Sequence, residues 1–171
     1  MSEGPTLPFD PIFEARRQWI VHGWFTEAQN MAVITSIVRL QQIFLSRADV
    51  ALRRFDLTFS RYEVLMLLSF SKRGSVPLGK IGERLQVNAA SVTNSVDRLE
   101  SEGLVSKRPN PDDRRGTLAS LTASGRGLAN RATAVMNVEV FSYLGLDEQE
   151  IRSLFQTLAK LRSAAGDFVT D

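Results

Sequence analysis

The sequence predicts a mainly α-helical protein with a small β-hairpin wing: a winged helix-turn-helix, plus a helical dimerisation region formed by the N- and C-terminal helices. Three observations carry this prediction. Two short amphipathic stretches, Leu78 to Leu85 and Ala89 to Glu102, are separated only by Gln86, Val87 and Asn88, the layout of a bihelical corner. A turn-rich, arginine-bearing segment from Pro109 to Gly116 follows, with a strand-forming run on either side. Both ends of the chain carry long helical apolar periodicities, more than one small lobe needs to cover itself.

Taken in order, residues 1–8 contain Gly4, Pro5 and Pro8 without periodic apolar positions and read as a disordered lead-in. Asp10 followed by Pro11 opens a helix bearing Ile12, Phe13, Trp19 and Ile20 and ending near Gly23. From about Glu27 to Phe55, Met31, Ile34, Ile37, Val38, Phe44, Leu45, Ala48, Leu52 and Phe55 recur at helical spacing with no internal Gly or Pro. Such a helix is on the order of 40 Å long, which suggests that part of it reaches another subunit. Ser60 and Glu63 have the spacing of a capping box ahead of Val64, Leu65, Leu67 and Leu68, and Ser71 to Pro77 reads as a loop.

After the corner, Gly103 ends the second short helix, and Leu104 to Arg108 and Thr117 to Leu121 are the expected hairpin strands. Thr122 caps a helix through Leu128, Ala132, Val135, Val138, Phe141 and Leu144 that stops at Gly145. Asp147 with Glu150 opens a last helix bearing Ile151, Leu154, Phe155, Leu158, Leu161 and Phe168. The expected division is therefore a lead-in (1–8), N-terminal dimerisation helices (9–56), a winged helix-turn-helix (57–121) and C-terminal dimerisation helices (122–171).

Within the corner, Ile81 and Leu85 offer one apolar face, Val92, Val96 and Leu99 another, Gly82 allows close helix approach, and Asn88 suits the N-cap of the second helix. Pointing Val92, Val96 and Leu99 inward turns Ala90, Ser91, Asn94, Asp97 and Arg98 outward, with Thr93 on the flank. Short side chains let a helix lie deep in a major groove, where Asn94 can pair with adenine, Ser91 or Thr93 can touch bases or phosphates, and Arg98 can meet phosphate. Polar residues outside an amphipathic helix are commonplace; the loop that follows tips the reading. It carries Arg114 and Arg115, a residue type suited to narrow minor grooves, and Asp113, placed to pair with Arg115. Between Lys72 and Arg131, eleven basic residues face six acidic ones in a chain whose net charge is only +2, so basicity is local.

The segments SVTNSVDRLESEGLV and KRPNPDDRRGTLASLT resemble the MarR family of bacterial regulators. Strong motif likeness covers about Leu78 to Gly125, and the general layout extends from about Met31 to Leu161. The resemblance implies a homodimer holding double-stranded DNA at an inverted-repeat site, with Ser91, Thr93 and Asn94 toward the major groove and Arg115, steadied by Asp113, in the minor groove. It further implies a repressor relieved by a small aromatic or anionic effector bound between the dimer region and the DNA lobes. The helix at 10–23 lies ahead of the family's usual first helix, and outward-facing Ala90 offers little hydrogen bonding.

Other classes find little support. No cysteine is present, which removes disulfides, thiolate metal sites and thiol sensing. His22 is the sole histidine and lacks convergent donors for a metal; its neighbours Trp19, Trp24 and Phe25 are expected to pack in the interior. No catalytic motif or cofactor fingerprint occurs, so neither enzyme activity nor a cofactor is expected. Val64 to Leu68 is the longest apolar run, too short to cross a membrane, and a cytoplasmic location is expected. Arg39, Arg61 and Tyr62 fall on the helices that would flank an effector cleft, where an arginine suits a carboxylate. The alternative is a winged module for protein interaction or ligand capture that does not bind DNA.

Overall fold

A computed structural model of the chain describes residues 7–142 and 144–169. Residues 1–6, and with them most of the expected lead-in, lie outside the described residues. Asp10 caps α1 (Pro11–Val21) by accepting from the Ile12 and Phe13 amides, with Pro11 at the first helical position. At Gly23 the backbone turns left-handed (φ +88°), and α1 folds back along the N-terminal part of α2 (Phe25–Leu52). A hydrogen bond from Arg16 to Gln29 joins the two helices. At 28 residues, α2 spans about 42 Å, and only its far end, Ala48, Ala51 and Leu52, enters the main core. A 3₁₀ turn, Arg53–Phe55, then leads to α3 (Phe59–Ser69).

Two local expectations change here. The cap of α3 is Thr58, which accepts from the Arg61 amide, while the Asp49 carboxylate accepts from the Phe59 amide. With those donors satisfied from outside, Ser60 and Glu63 both sit within the helix and form no capping box. The expected loop at Ser71 to Pro77 ends in a short strand, β1 (Ser75–Pro77). Three residues are too few to show alternation, and the partner that makes β1 a strand lies far along the chain.

The corner forms as the apolar pattern requires, with α4 (Leu78–Leu85) and α5 (Ala89–Ser101). The wing strands are longer than expected, β2 (Val105–Asn110) and β3 (Asp113–Leu121), and the sheet is antiparallel in the order β1-β3-β2. Ala119 is the centre of the register, opposite both Val76 and Lys107. Most of the expected loop from Pro109 to Gly116 is thus strand, so Arg114 and Arg115 lie on β3 beside the turn instead of at its tip. Hydrogen bonding along the hairpin, which local composition does not encode, extends the ladder. Helix α6 (Ala123–Met136) follows, passes into a π-helical turn (Asn137–Phe141), and α7 (Glu148–Ala164) closes the chain with the expected Asp147/Glu150 capping box.

One core unites these elements: Leu52, Leu65, Leu68, Ile81, Val92, Val96, Leu99, Val105 and Met136 are fully buried, and no described polar residue is. Helices α1 and α7 have no buried residue. Trp19 meets Trp24 edge to face at 5.2 Å, yet Trp24 and Phe25 stay exposed, contrary to the interior packing expected of them. Their hairpin is covered on one side only, so helical spacing alone did not imply burial.

The tightest crossing lies where α6 passes the start of β2. Thr122 donates from its hydroxyl to the Gly103 and Leu104 carbonyls and accepts from the Gly125 amide. A Cβ at Gly125 would collide with the Leu104 carbonyl oxygen, a backbone atom that cannot step aside. Gly125→Ala should therefore lower stability by about 3 kcal/mol in urea titration. Gly79→Ala, whose Cβ meets open space in α4, should be neutral or stabilising by up to about 1 kcal/mol. Equal effects at both positions would discount the crossing.

Candidate nucleic-acid interface

The corner is built by close backbone approach. A Cβ on Gly82 would lie 3.0 Å from the Val87 carbonyl oxygen and 3.3 Å from Val92, so glycine lets α4 and the turn meet. Helix α4 ends at Gln86 with φ +55°, an uncommon conformation for a residue other than glycine. The Gln86 side-chain amide donates to the Glu83 carbonyl at 3.0 Å, and the Val87 amide donates to the Gly82 carbonyl. Nothing in the sequence pattern marked Gln86. Asn88 then caps α5, its side-chain oxygen accepting from the Ser91 amide at 2.9 Å.

Helix α5 presents the face expected of it. Val92, Val96 and Leu99 are buried; Ala90, Ser91, Thr93, Asn94, Asp97 and Arg98 are exposed. The Thr93 hydroxyl donates back to the Ala89 carbonyl, and no side-chain bond engages Asn94 among the described residues. The C-terminal turn differs: its polar groups are taken up inside the lobe. The Arg98 guanidinium lies 2.6 Å from Glu102 and 3.8 Å from Asp56, so a phosphate contact would compete with its own acidic neighbours. Glu102 also takes Arg61 at 3.1 Å, tying α5 to α3. Lys107 on β2 reaches Asp97 at 2.6 Å and Glu100 at 2.8 Å, and these carboxylates hold its ammonium above the usual lysine range. Wing and helix are thereby fastened together.

The local basicity is redistributed by these pairs. Arg61, Arg98 and Lys107 are balanced within the lobe, whereas Arg114 and Arg115 are exposed on β3 without an ion pair among the described residues. Asp113 does act on Arg115, but through the backbone: its carboxylate accepts from the Arg115 amide at 3.0 Å. The expected pairing with the guanidinium is not made. Gly116 is hemmed in by Asp113 and Asn110, which keeps the turn narrow.

Behind this interface, α3, α4, α6 and the π-helical turn enclose a cleft of about 600 Å³ bordered by Phe59, Tyr62, Glu63, Phe70, Arg84 and Phe141, among others. Of the three residues expected at an effector site, only Tyr62 lines it; its hydroxyl is 3.1 Å from that of Thr133. Arg61 turns away to Glu102, and Arg39 lies on α2 beside Gln42. Adjacent positions on a helix point about 100° apart, so Tyr62 inward places Arg61 elsewhere. Glu63 was expected only in a capping box and Phe141 only as a helix position, and Phe59 and Phe70 were not singled out in the sequence, because the lining converges from separate elements.

The pattern of the MarR family matches residues 57–117, from α3 into the wing. An uncharacterised helix-turn-helix transcriptional regulator from Bacillus subtilis, YhbI, is 31% identical over 123 residues, which cover 70% of this chain and 79% of the relative. Sco5413 from Streptomyces coelicolor, a MarR family transcriptional regulator, is 48% identical with a TM-score of 0.75 over 83% of this chain and 99% of that structure. A mutant MarR from E. coli complexed with operator DNA shares the fold at 23% identity and a TM-score of 0.71, covering 80% and 97% of the two chains. Kinship over nearly the whole of Sco5413, centred on the corner and the wing, means that this chain belongs to the MarR family of winged helix-turn-helix transcriptional regulators.

Proposed function

We propose that the protein binds double-stranded DNA as a homodimer at an inverted-repeat site and represses transcription there until a small effector enters the cleft. The observation that carries this reading is the joint display of two exposed features on one lobe: the short-chained face of α5 and the unpaired arginines of the hairpin clamped to it. Ser91, Thr93 and Asn94 are assigned to the major groove, with Ala90 allowing close approach, and Arg115, aided by Arg114, to the adjacent minor groove. Asp113 sets the backbone from which Arg115 extends.

Dimerisation is supported by what the single chain leaves uncovered. Helix α7 exposes Ile151, Leu154, Phe155 and Leu161, and Phe155 is 67% exposed; Val138 on the π-helical turn is 73% exposed. Phe13 and Phe25 at the N-terminal end are exposed as well. Apolar area of this extent drives association in water. A second copy would cover it and set two α5 helices about 34 Å apart, one turn of B-DNA, which calls for a two-fold-related site. The effector role rests on the cleft's place between α3 and α6, one of which packs on α5 while the other leads to the uncovered helices.

Two measurements test this reading. Arg115→Ala should weaken binding by about 1–3 kcal/mol in fluorescence anisotropy at fixed salt. Unchanged affinity would remove the wing from the interface, and retention of no DNA at all would leave an interaction or capture module. Light scattering should give twice the chain mass, and Phe155→Asp should shift the protein toward monomer while weakening binding to the two-fold site. A wild-type monomer would defeat the dimer.

A further inference from the structure

The polar groups of the cleft are not equivalent. The Tyr62 hydroxyl and that of Thr133 satisfy one another, and Thr133 also meets the Met66 sulfur at 3.0 Å. Arg84 borders the opening as an exposed residue; the neighbouring Glu83 carboxyl is held by Lys80, and Arg84 adds only the smallest share to that effect. Arg61, the nearest cation along α3, is committed to Glu102. Glu63 is left half-buried among apolar side chains with no ion pair or hydrogen bond from its carboxylate among the described residues. Burial alone pushes its carboxyl above the ordinary range, with no positive neighbour offsetting the effect. Among the described residues no buried side-chain oxygen lacks a partner, so the unpartnered Glu63 oxygens are accessible, and Glu63 borders the cleft.

We infer that the cleft takes a ligand with a cationic nitrogen on an aromatic body, and that Glu63 is its counter-ion. This rests on, and narrows, the reading of the cleft as the effector site. An ammonium supplies both the charge and the hydrogen bonds that the carboxylate lacks, in a place where low polarity strengthens both. Phe59 and Tyr62, with ring centroids 6.2 Å apart, and Phe70 and Phe141 offer aromatic surface to the ligand body. An anionic molecule, a class that the family resemblance implied, would set a second negative charge beside Glu63; Arg39 and Arg61 are not placed to offset it, and Arg84 stands exposed at the border of the cleft.

The test uses three probes of one shape on the full chain: naphthylmethylamine, naphthylmethanol and naphthoate, titrated calorimetrically at neutral pH. The amine should bind about tenfold more tightly than the alcohol, with the acid weakest. In Glu63→Gln, checked for folding by its DNA binding, the amine should fall to the level of the alcohol. Equal or tighter binding of alcohol or acid to the wild type, binding of none, or an amine preference that survives in Glu63→Gln would overturn the inference. The wild-type comparison decides by itself if that variant does not fold. Amine binding that leaves DNA affinity unchanged would uphold the ligand class while removing the effector role.

Discussion

The burial of Val92, Val96 and Leu99 is the constraint from which the rest follows. These residues occupy one stripe of α5 and are almost completely removed from water, each worth roughly 1.5–3 kcal/mol of apolar burial. Rotating the helix would expose that stripe, so its opposite face is fixed toward solvent. Acidic side chains at the C-terminal end complete the attachment, Glu102 to Arg61 on α3 and Asp97 and Glu100 to Lys107 on β2. Because these pairs are partly exposed, their value lies more in setting direction than in stability. The result is a helix and a hairpin held in one relative orientation.

This unit of helix and hairpin meets the helix that follows it at a close backbone crossing. Where α6 crosses the start of β2, Thr122 and the absent side chain of Gly125 let two backbones touch, and the Leu104 carbonyl cannot accept a bulkier neighbour. Helix α6 continues into the π-helical turn that lines the cleft, and Glu139 in that turn pairs with Arg54 at 2.8 Å just after α2. A π-turn departs from regular helical bonding and is a common seat of functional adjustment. The cleft therefore touches both α3, which holds α5, and the turn leading to the uncovered helices. A change in the spacing of those two elements would reach the displayed face of α5 without altering that face itself.

Much of this was legible along the chain. Asp10, Asn88, Thr122 and Asp147 each cap the helix expected of them, because a cap is a contact between residues two or three apart. The inward and outward sides of α5 followed from a single period. The less accurate readings share a cause. Ser60 and Glu63 had the spacing of a box, but Thr58 and Asp49 supplied the cap; β1 exists only because β3 lies beside it; Arg114 and Arg115 joined a strand because the hairpin ladder continued past Pro109.

The sequence by itself determined the helical order, the corner, the wing and which side of α5 meets water, since each depends on periodicity or on neighbours within a few residues. Only the tertiary structure decided which charges are spent and which remain. Arg61 and Arg98 are drawn to Glu102, Lys107 to Asp97 and Glu100, and the Glu63 carboxylate is left without an ion pair or hydrogen bond among the described residues of the cleft. Electrostatic partners act through space, and four separate elements had to converge before the identity of the unpaired groups had any meaning.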